Sequence, residues 1–125
     1  MRKLTLGILI IAATAGAASA RDRTAIPEAT VAGDAISCVP LRNISSTKVH
    51  GDSTIDFHMN SGKVYRNTLP NSCPSLGFEE SFLYKTSLSQ LCSVDIITVL
   101  QSPGLSEGAS CGLGKFQPVK LASAR

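Results

Sequence analysis

The chain has 125 residues, with 12 Lys and Arg against 9 Asp and Glu, 43% hydrophobic residues, four Cys and no Trp. Two of the basic residues, Arg2 and Lys3, lie in an N-terminal signal-like segment, so the rest of the chain is close to neutral. The remaining basic residues are scattered singly, which argues against nucleic acid as a partner. The length suits one domain with one hydrophobic core.

Residues 1–20 have the three-part pattern of a secretory signal peptide. Arg2 and Lys3 precede an apolar run at 4–13, and small residues follow at 18–20. We expect cleavage after Ala20. The apolar run is shorter than the roughly 20 residues of a membrane helix, and no later segment has the length and apolarity to stop transfer. We therefore expect a soluble mature chain with no membrane insertion.

Three regions are predicted after the signal peptide. Residues 21–36 mix charged residues, Ala, Thr and one Pro without a sustained period, which predicts a flexible leader. Residues 37–121 are predicted to form a single β domain, and 122–125 a short tail. The β assignment follows from β-branched and aromatic residues that come in short runs between Gly, Pro, Asn and Ser.

Six antiparallel strands are predicted in this domain, at 41–49, 53–59, 63–69, 81–85, 94–100 and 115–121. The run at 94–100 is the most apolar, so we expect it to be a central strand. Turns are predicted at 70–74 and 102–104, where Pro and Gly occur. The fold class is therefore all-β, a small disulfide-stapled barrel or sandwich that hides its strand edges.

The clearest local signal is a hairpin over 53–69. Apolar and polar residues alternate before the three-residue loop 60–62, whose last residue, Gly62, carries no steric penalty at positive φ. This loop places Met59 opposite Lys63. The further predicted pairs are Asp56 with Arg66, Phe57 with Tyr65, Thr54 with Thr68 and His58 with Val64. Aromatic residues then share one face and opposite charges the other, as a half-buried hairpin favours.

Four Cys in a small exported chain predict two disulfides, although spacing alone allows three pairings. The residues are Cys38, Cys73, Cys92 and Cys111, with no C-x-x-C motif that would indicate a redox or zinc site. If the six strands run up and down in chain order, Cys38 and Cys92 lie at one end and the other two at the opposite end. A strand length exceeds the reach of a disulfide. This topology favours Cys38–Cys92 and Cys73–Cys111.

Common catalytic motifs are missing from the sequence, including the nucleophile elbow, the P-loop and the H-E-x-x-H motif. We therefore expect no enzymatic activity and no cofactor. The favoured function is an interaction module for an unknown envelope protein or glycan, or an inhibitor of an envelope enzyme, acting as a monomer. Its predicted contact surface is the hairpin tip and polar face, with Asp56, His58, Asn60 and Arg66.

An alternative function is metal binding or metal handling. His50, Asp52, Asp56 and His58 supply a mixed nitrogen and oxygen ligand set within nine residues of chain. The competing interpretation pairs Asp56 with Arg66, leaves His58 as an exposed polar residue and assigns Asp52 to a turn. We favour that second interpretation, with no metal site.

Four segments are distinctive: GKVYRNTLP at 62–70, CP at 73–74, LCSVD at 91–95 and CGLGKF at 111–116. On these segments, over roughly 38–119, the chain resembles a family of small exported proteobacterial proteins of unknown function. The resemblance implies a bacterial producer and a periplasmic location. It implies no substrate and no catalytic residue.

Overall fold

The computed structural model describes residues 25–86 and 88–122. Over these residues the chain forms ten β-strands, one 3₁₀ turn at Leu41–Asn43 and one helical turn, α1, at Leu76–Glu79. The strands are β1 Ala29–Val31, β2 Cys38–Pro40, β3 Ile44–His50, β4 Thr54–Met59, β5 Val64–Thr68, β6 Phe82–Lys85, β7 Gln90–Cys92, β8 Ile96–Gln101, β9 Ser106–Gly112 and β10 Phe116–Leu121. Parts of three predictions lie outside the described residues: the signal peptide, residues 21–24 of the leader and residues 123–125 of the tail.

The all-β prediction is confirmed, and the arrangement is sandwich-like. A five-stranded sheet has the order β1-β10-β5-β4-β3, a three-stranded sheet has the order β6-β8-β9, and β2 pairs with β7. Every pairing is antiparallel. Within the described residues these sheets do not close into a barrel. No helix in this part of the chain has the length and apolarity to span a membrane.

The core fills the space between the larger sheets. Phe57 on β4 is fully buried and meets two aromatic rings edge to face, Phe116 at 5.3 Å and Phe82 at 6.5 Å between ring centroids. Such edge-to-face pairs add about 0.5–1.5 kcal/mol beyond the area that they bury. Ile97 and Val99 of β8 are fully buried in the same cluster. The strand β8 lies between β6 and β9, which confirms the prediction that the most apolar run is central.

The predicted hairpin register is confirmed. Strands β4 and β5 pair as Asp56 with Arg66, Phe57 with Tyr65, Thr54 with Thr68 and His58 with Val64. At the turn, the Met59 amide donates to the Lys63 carbonyl at 2.8 Å, and Gly62 has φ of 87°. Phe57 and Met59 consequently face the core, while Asp56 and His58 lie on the opposite face of the five-stranded sheet, which we name the outer face.

Several predicted boundaries and connections are wrong. The predicted leader 21–36 is not all linker, because β1 pairs with β10 and the Ile36 amide donates to the Phe116 carbonyl at 2.9 Å. The first strand was predicted at 41–49, but the observed strand is Ile44–His50, because residues 41–43 form the 3₁₀ turn. The chain also does not run up and down, because β10 returns to pair with β5 while the second sheet intervenes in sequence.

Three further strands escaped prediction for physical reasons. Strands β2 and β7 have only three residues each, too few to show a period. Strand β9, with the sequence SEGASCG, has almost no apolar content. It is a strand because β8 offers it a hydrogen-bonding edge, with Ile97 opposite Cys111 and Thr98 opposite Ser110. Tertiary context overrides intrinsic strand propensity at such positions.

Both predicted disulfides, Cys38–Cys92 and Cys73–Cys111, are present. The geometry behind the first differs from the expectation, since Cys38 and Cys92 are directly opposite each other on β2 and β7. The second joins the loop after β5 to the end of β9, and so links the hairpin region to the three-stranded sheet. Two disulfides are consistent with an oxidising compartment.

A buried amide extends the contact between β5 and β10. The side chain of Asn67 is fully buried, its Nδ2 donates to the Gly114 carbonyl at 2.7 Å, and its Oδ1 accepts from the Gly114 amide at 2.8 Å. This reciprocal pair imitates one more step of the backbone ladder just before β10 begins. A Cβ at Gly114 would overlap the Thr68 carbonyl oxygen.

We therefore expect Gly114→Ala to lower the free energy of unfolding by about 1–3 kcal/mol, because the added methyl group displaces the Thr68 carbonyl and the Asn67 amide. Urea titration under oxidising conditions measures this. Gly112→Ala is the matched control, since a Cβ there meets no atom within 4 Å. Equal stability of the two variants would contradict the explanation.

Loss of either disulfide is expected to be costly. The Cys73–Cys111 pair has a sequence separation of 38 and the Cys38–Cys92 pair one of 54. The chain-entropy model gives about 4 kcal/mol for loops of these lengths. We expect Cys73→Ala/Cys111→Ala and Cys38→Ala/Cys92→Ala each to lower the free energy of unfolding by about that amount in urea. A double variant as stable as the parent chain would refute this expectation.

Candidate functional site

The outer face holds a buried carboxylate. Asp56 is only 1% exposed although it lies on the face opposite the core. Its Oδ1 accepts from Arg66 Nε at 2.8 Å, and its Oδ2 accepts from Arg66 Nη2 at 3.0 Å. The hairpin register causes this contact, because it places the two residues directly opposite each other. A two-point contact between guanidinium and carboxylate fixes both planes and offsets part of the cost of desolvation.

His50 completes this group from the neighbouring strand. Its Nε2 lies 3.2 Å from Asp56 Oδ2, and its side chain is 15% exposed. His50 is the last residue of β3 and pairs with Thr54. The Asp56 carboxylate therefore has a basic side chain on each side, from β3 and from β5, and both of its oxygens are engaged.

Arg66 also ties down the segment before β1. Its Nη2 donates to the Pro27 carbonyl at 3.0 Å. The Ala122 amide donates to the Glu28 carbonyl at 2.9 Å, which holds the same segment beside the end of β10. Residues 27–28 thus stand over the outer face as a wall. This wall was not predicted from the sequence, because β1 was not predicted.

A cavity of about 450 Å³ opens on the outer face beside the carboxylate. Its lining residues come from the wall, from the end of β10 and from strands β3 and β4. They are Pro27, Glu28, Lys48, His50, Asp56, His58, Leu121 and Ala122. The volume lies in the range of small-molecule sites, roughly 300–1,000 Å³. Lys48 was not predicted as a site residue, and His50 was predicted only as a member of the alternative metal set. Alternation along the strand places both side chains on the face opposite that of the apolar Val49, and this was the signal for them in the sequence.

His58 lines the same cavity with an unsatisfied ring nitrogen. Its Nε2 is buried and has no hydrogen-bond partner within the described part of the chain. Most buried polar side-chain atoms are paired, so an unpaired one calls for a physical explanation. Because this nitrogen is buried, a bound group satisfies it only when the imidazole ring turns toward the cavity.

Asn60, the fourth residue of the predicted contact surface, lies elsewhere. Its Nδ2 donates to the Arg42 carbonyl at 3.0 Å, and its backbone amide donates to the Asn43 carbonyl at 2.8 Å. These bonds fasten the hairpin tip to the 3₁₀ turn. Asn60 lines a separate cavity of about 300 Å³ that also includes Met59 and Tyr65. The structure thus brings Asp56, His58 and Arg66 together and leaves Asn60 at the tip.

The alternative metal set does not converge. Asp52 Oδ1 accepts from the Gly77 amide at 2.8 Å, and the Asp52 carbonyl accepts from the Cys73 amide at 2.7 Å. These bonds dock the β3–β4 turn on α1. No group of three or more His, Cys, Asp or Glu residues in 25–86 and 88–122 is placed to hold a metal ion. Of the four residues, His50 and Asp56 are in contact.

Comparisons of the chain with models of protein families, with curated proteins and with solved structures found no match. The chemistry of the site therefore has to be inferred from its own residues. All four Cys are in disulfides, so none is available as a thiol nucleophile. The Asp56 carboxylate is charge-balanced by Arg66, and His50 Nε2 is engaged by that carboxylate. This arrangement suits recognition by charge and hydrogen bonding.

The buried ion pair yields a stability prediction. Arg66→Met leaves the Asp56 carboxylate buried with only His50 beside it, so we expect the free energy of unfolding to fall by about 3–5 kcal/mol. The double variant Asp56→Asn/Arg66→Met removes the stranded charge and is expected to lose clearly less. Urea unfolding of both variants and the parent checks this. If Arg66→Met is as stable as the parent chain, Arg66 does not neutralise a buried Asp56 charge in the way stated here.

Proposed function

We propose that this chain is a periplasmic, non-catalytic binding module, exported by a cleaved signal peptide and acting as a monomer. Its binding site is the cavity on the outer face of the five-stranded sheet. The resemblance to small exported proteobacterial proteins, the two disulfides and the signal-like residues 1–20 support the location. The cavity itself, with a buried Asp56–Arg66 pair beside it, supports binding as the function.

The single observation that carries the proposal is the contrast between satisfied and unsatisfied groups around the cavity. Asp56 and Arg66 satisfy each other and are not free to bind a ligand, so they act as support. His58 Nε2 is unsatisfied, and Lys48 has an exposed side chain at the cavity. Ligand sites commonly combine a rigid, internally paired group, here Asp56 and Arg66, with polar side chains around it that have free hydrogen-bonding capacity.

The module is proposed to bind without chemical conversion. Nucleophilic catalysis by an imidazole needs a Ser, Thr or Cys beside it. The residues that line the cavity include none of these, and the Asp56 carboxylate is neutralised by Arg66. The contact surface predicted from the sequence is accordingly revised to the cavity residues, with His58 retained, Lys48 and His50 added, and Asn60 removed.

Titration of the isotopically labelled full-length chain, purified from the periplasm, tests this function. Small-molecule fractions of a bacterial envelope extract are added, and amide shifts are followed by NMR. We expect shifts at Lys48, His50 and His58 and none at Glu107, whose exposed side chain pairs with Lys85 on the three-stranded sheet. The mass of the recovered ligand is expected to be unchanged.

Two results would contradict the proposal. Absence of shifts around the cavity with every fraction would remove the binding function. A ligand recovered with altered mass, in a reaction lost on His50→Gln, would replace the binding module with an enzyme. His58→Gln is expected to weaken binding while preserving the fold, because its Nε2 has no partner in the described residues to lose.

A further inference from the structure

The cavity presents opposite charges from its two sides. Lys48 comes from β3, at one edge of the five-stranded sheet, and Glu28 directly precedes β1, at the other edge. Within the described residues neither side chain takes part in an ion pair. Charges on opposite walls of a small cavity favour a ligand that carries both signs at its two ends.

The floor between these walls adds no net charge. The Asp56 carboxylate and the Arg66 guanidinium cancel, and both are largely buried. His50 and His58 add imidazole groups beside Lys48, since β3 and β4 are neighbours. His58 Nε2 is buried and has no partner in the described residues, so it contacts a polar end of a ligand once its ring turns toward the cavity. A purely anionic ligand would face Glu28, and a purely cationic one would face Lys48.

The dimensions indicate how long this ligand is. Glu28 directly precedes β1, and β3 is four strands from β1 in the sheet. Four interstrand steps are about 19 Å between the two backbones. The side chains of Glu28 and Lys48 both line the cavity, so they reach inward and shorten the gap between the two charges. Leu121, Ala122 and Pro27 supply an apolar lining between the ends. A peptide of two or three residues, at about 3.3 Å per extended residue, spans the gap that remains.

Resting on the binding function proposed above, we infer that the cavity binds a short zwitterionic peptide, a dipeptide or tripeptide with small apolar side chains. Its terminal ammonium pairs with Glu28, and its terminal carboxylate lies against Lys48 and the imidazole of His58. The apolar side chains contact Leu121 and Ala122.

Calorimetric titration of the full-length protein with trialanine tests the inference, with N-acetyl-trialanine and trialanine amide as partners lacking one charge. We expect trialanine to bind, and each blocked form to bind about tenfold more weakly or worse, because each loses one charge-assisted contact. The Glu28→Gln variant is expected to weaken binding of trialanine but to leave that of N-acetyl-trialanine unchanged. Lys48→Gln is expected to weaken trialanine but not trialanine amide.

Lys120→Gln is the matched control, because Lys120 is exposed on β10 and does not line the cavity. It is expected to bind all three peptides as the parent does. Both Glu28 and Lys48 are exposed, so their substitution is expected to preserve the fold, which thermal unfolding verifies.

The outcomes separate this inference from the binding function on which it rests. Equal affinity for the free and blocked peptides, or binding of acetate and phosphate but no peptide, would overturn the zwitterion while leaving a binding module. If no peptide or anion binds but an envelope fraction still shifts the cavity amides, the zwitterionic peptide is likewise overturned and the binding function stands. If the envelope fractions also cause no shifts, the peptide inference and the binding function are both overturned.

Discussion

The register of the β4–β5 hairpin is the constraint on which the rest of the structure depends. It places Ile55 and Phe57 in the core and, by the same alternation, Asp56 and His58 on the outer face. A slip of one residue would exchange these sets and bury the charged residues in the apolar core. Core and site are therefore two consequences of one turn, closed by the positive φ of Gly62.

The hairpin alone does not make the site. Asp56 is buried because its neighbours on both sides contribute side chains, His50 from β3 and Arg66 from β5. Arg66 then reaches beyond the hairpin to the Pro27 carbonyl, so one guanidinium neutralises the carboxylate and positions a wall of the cavity. Buried ion pairs contribute little net stability, but they specify geometry where alternative arrangements would leave a charge unpaired. The pair is better explained by the shape of the cavity than by the stability of the fold.

Prediction from sequence succeeded where the signal was local or covalent. The hairpin register followed from a three-residue loop, and β8 stood out because no other run in the predicted β domain is as apolar. Prediction failed where an element exists only because another offers it an edge. Strand β1 has three residues and depends on β10, and β9 depends on β8. The disulfide pairing was predicted correctly from a strand order that proved wrong, because Cys38 and Cys92 are direct neighbours across β2 and β7.

The difference between locally encoded elements and elements that depend on a pairing partner also explains why only half of the site was predicted. Asp56, His58 and Arg66 belong to the locally encoded hairpin, whereas Glu28, Leu121 and Ala122 reach the cavity only through the pairing of β1 with β10. Neither disulfide has a cysteine within a strand of the five-stranded sheet, and Cys73 joins that sheet only through the loop after β5. The sheet that carries the cavity is stabilised by the backbone hydrogen bonds between its strands, by the Asn67–Gly114 bonds and by the Arg66 hydrogen bond to Pro27. The wall is held by two hydrogen bonds, from Arg66 to the Pro27 carbonyl and from the Ala122 amide to the Glu28 carbonyl. It can therefore adjust to a ligand without disturbing the disulfide-linked core, since local opening costs least where few contacts are broken.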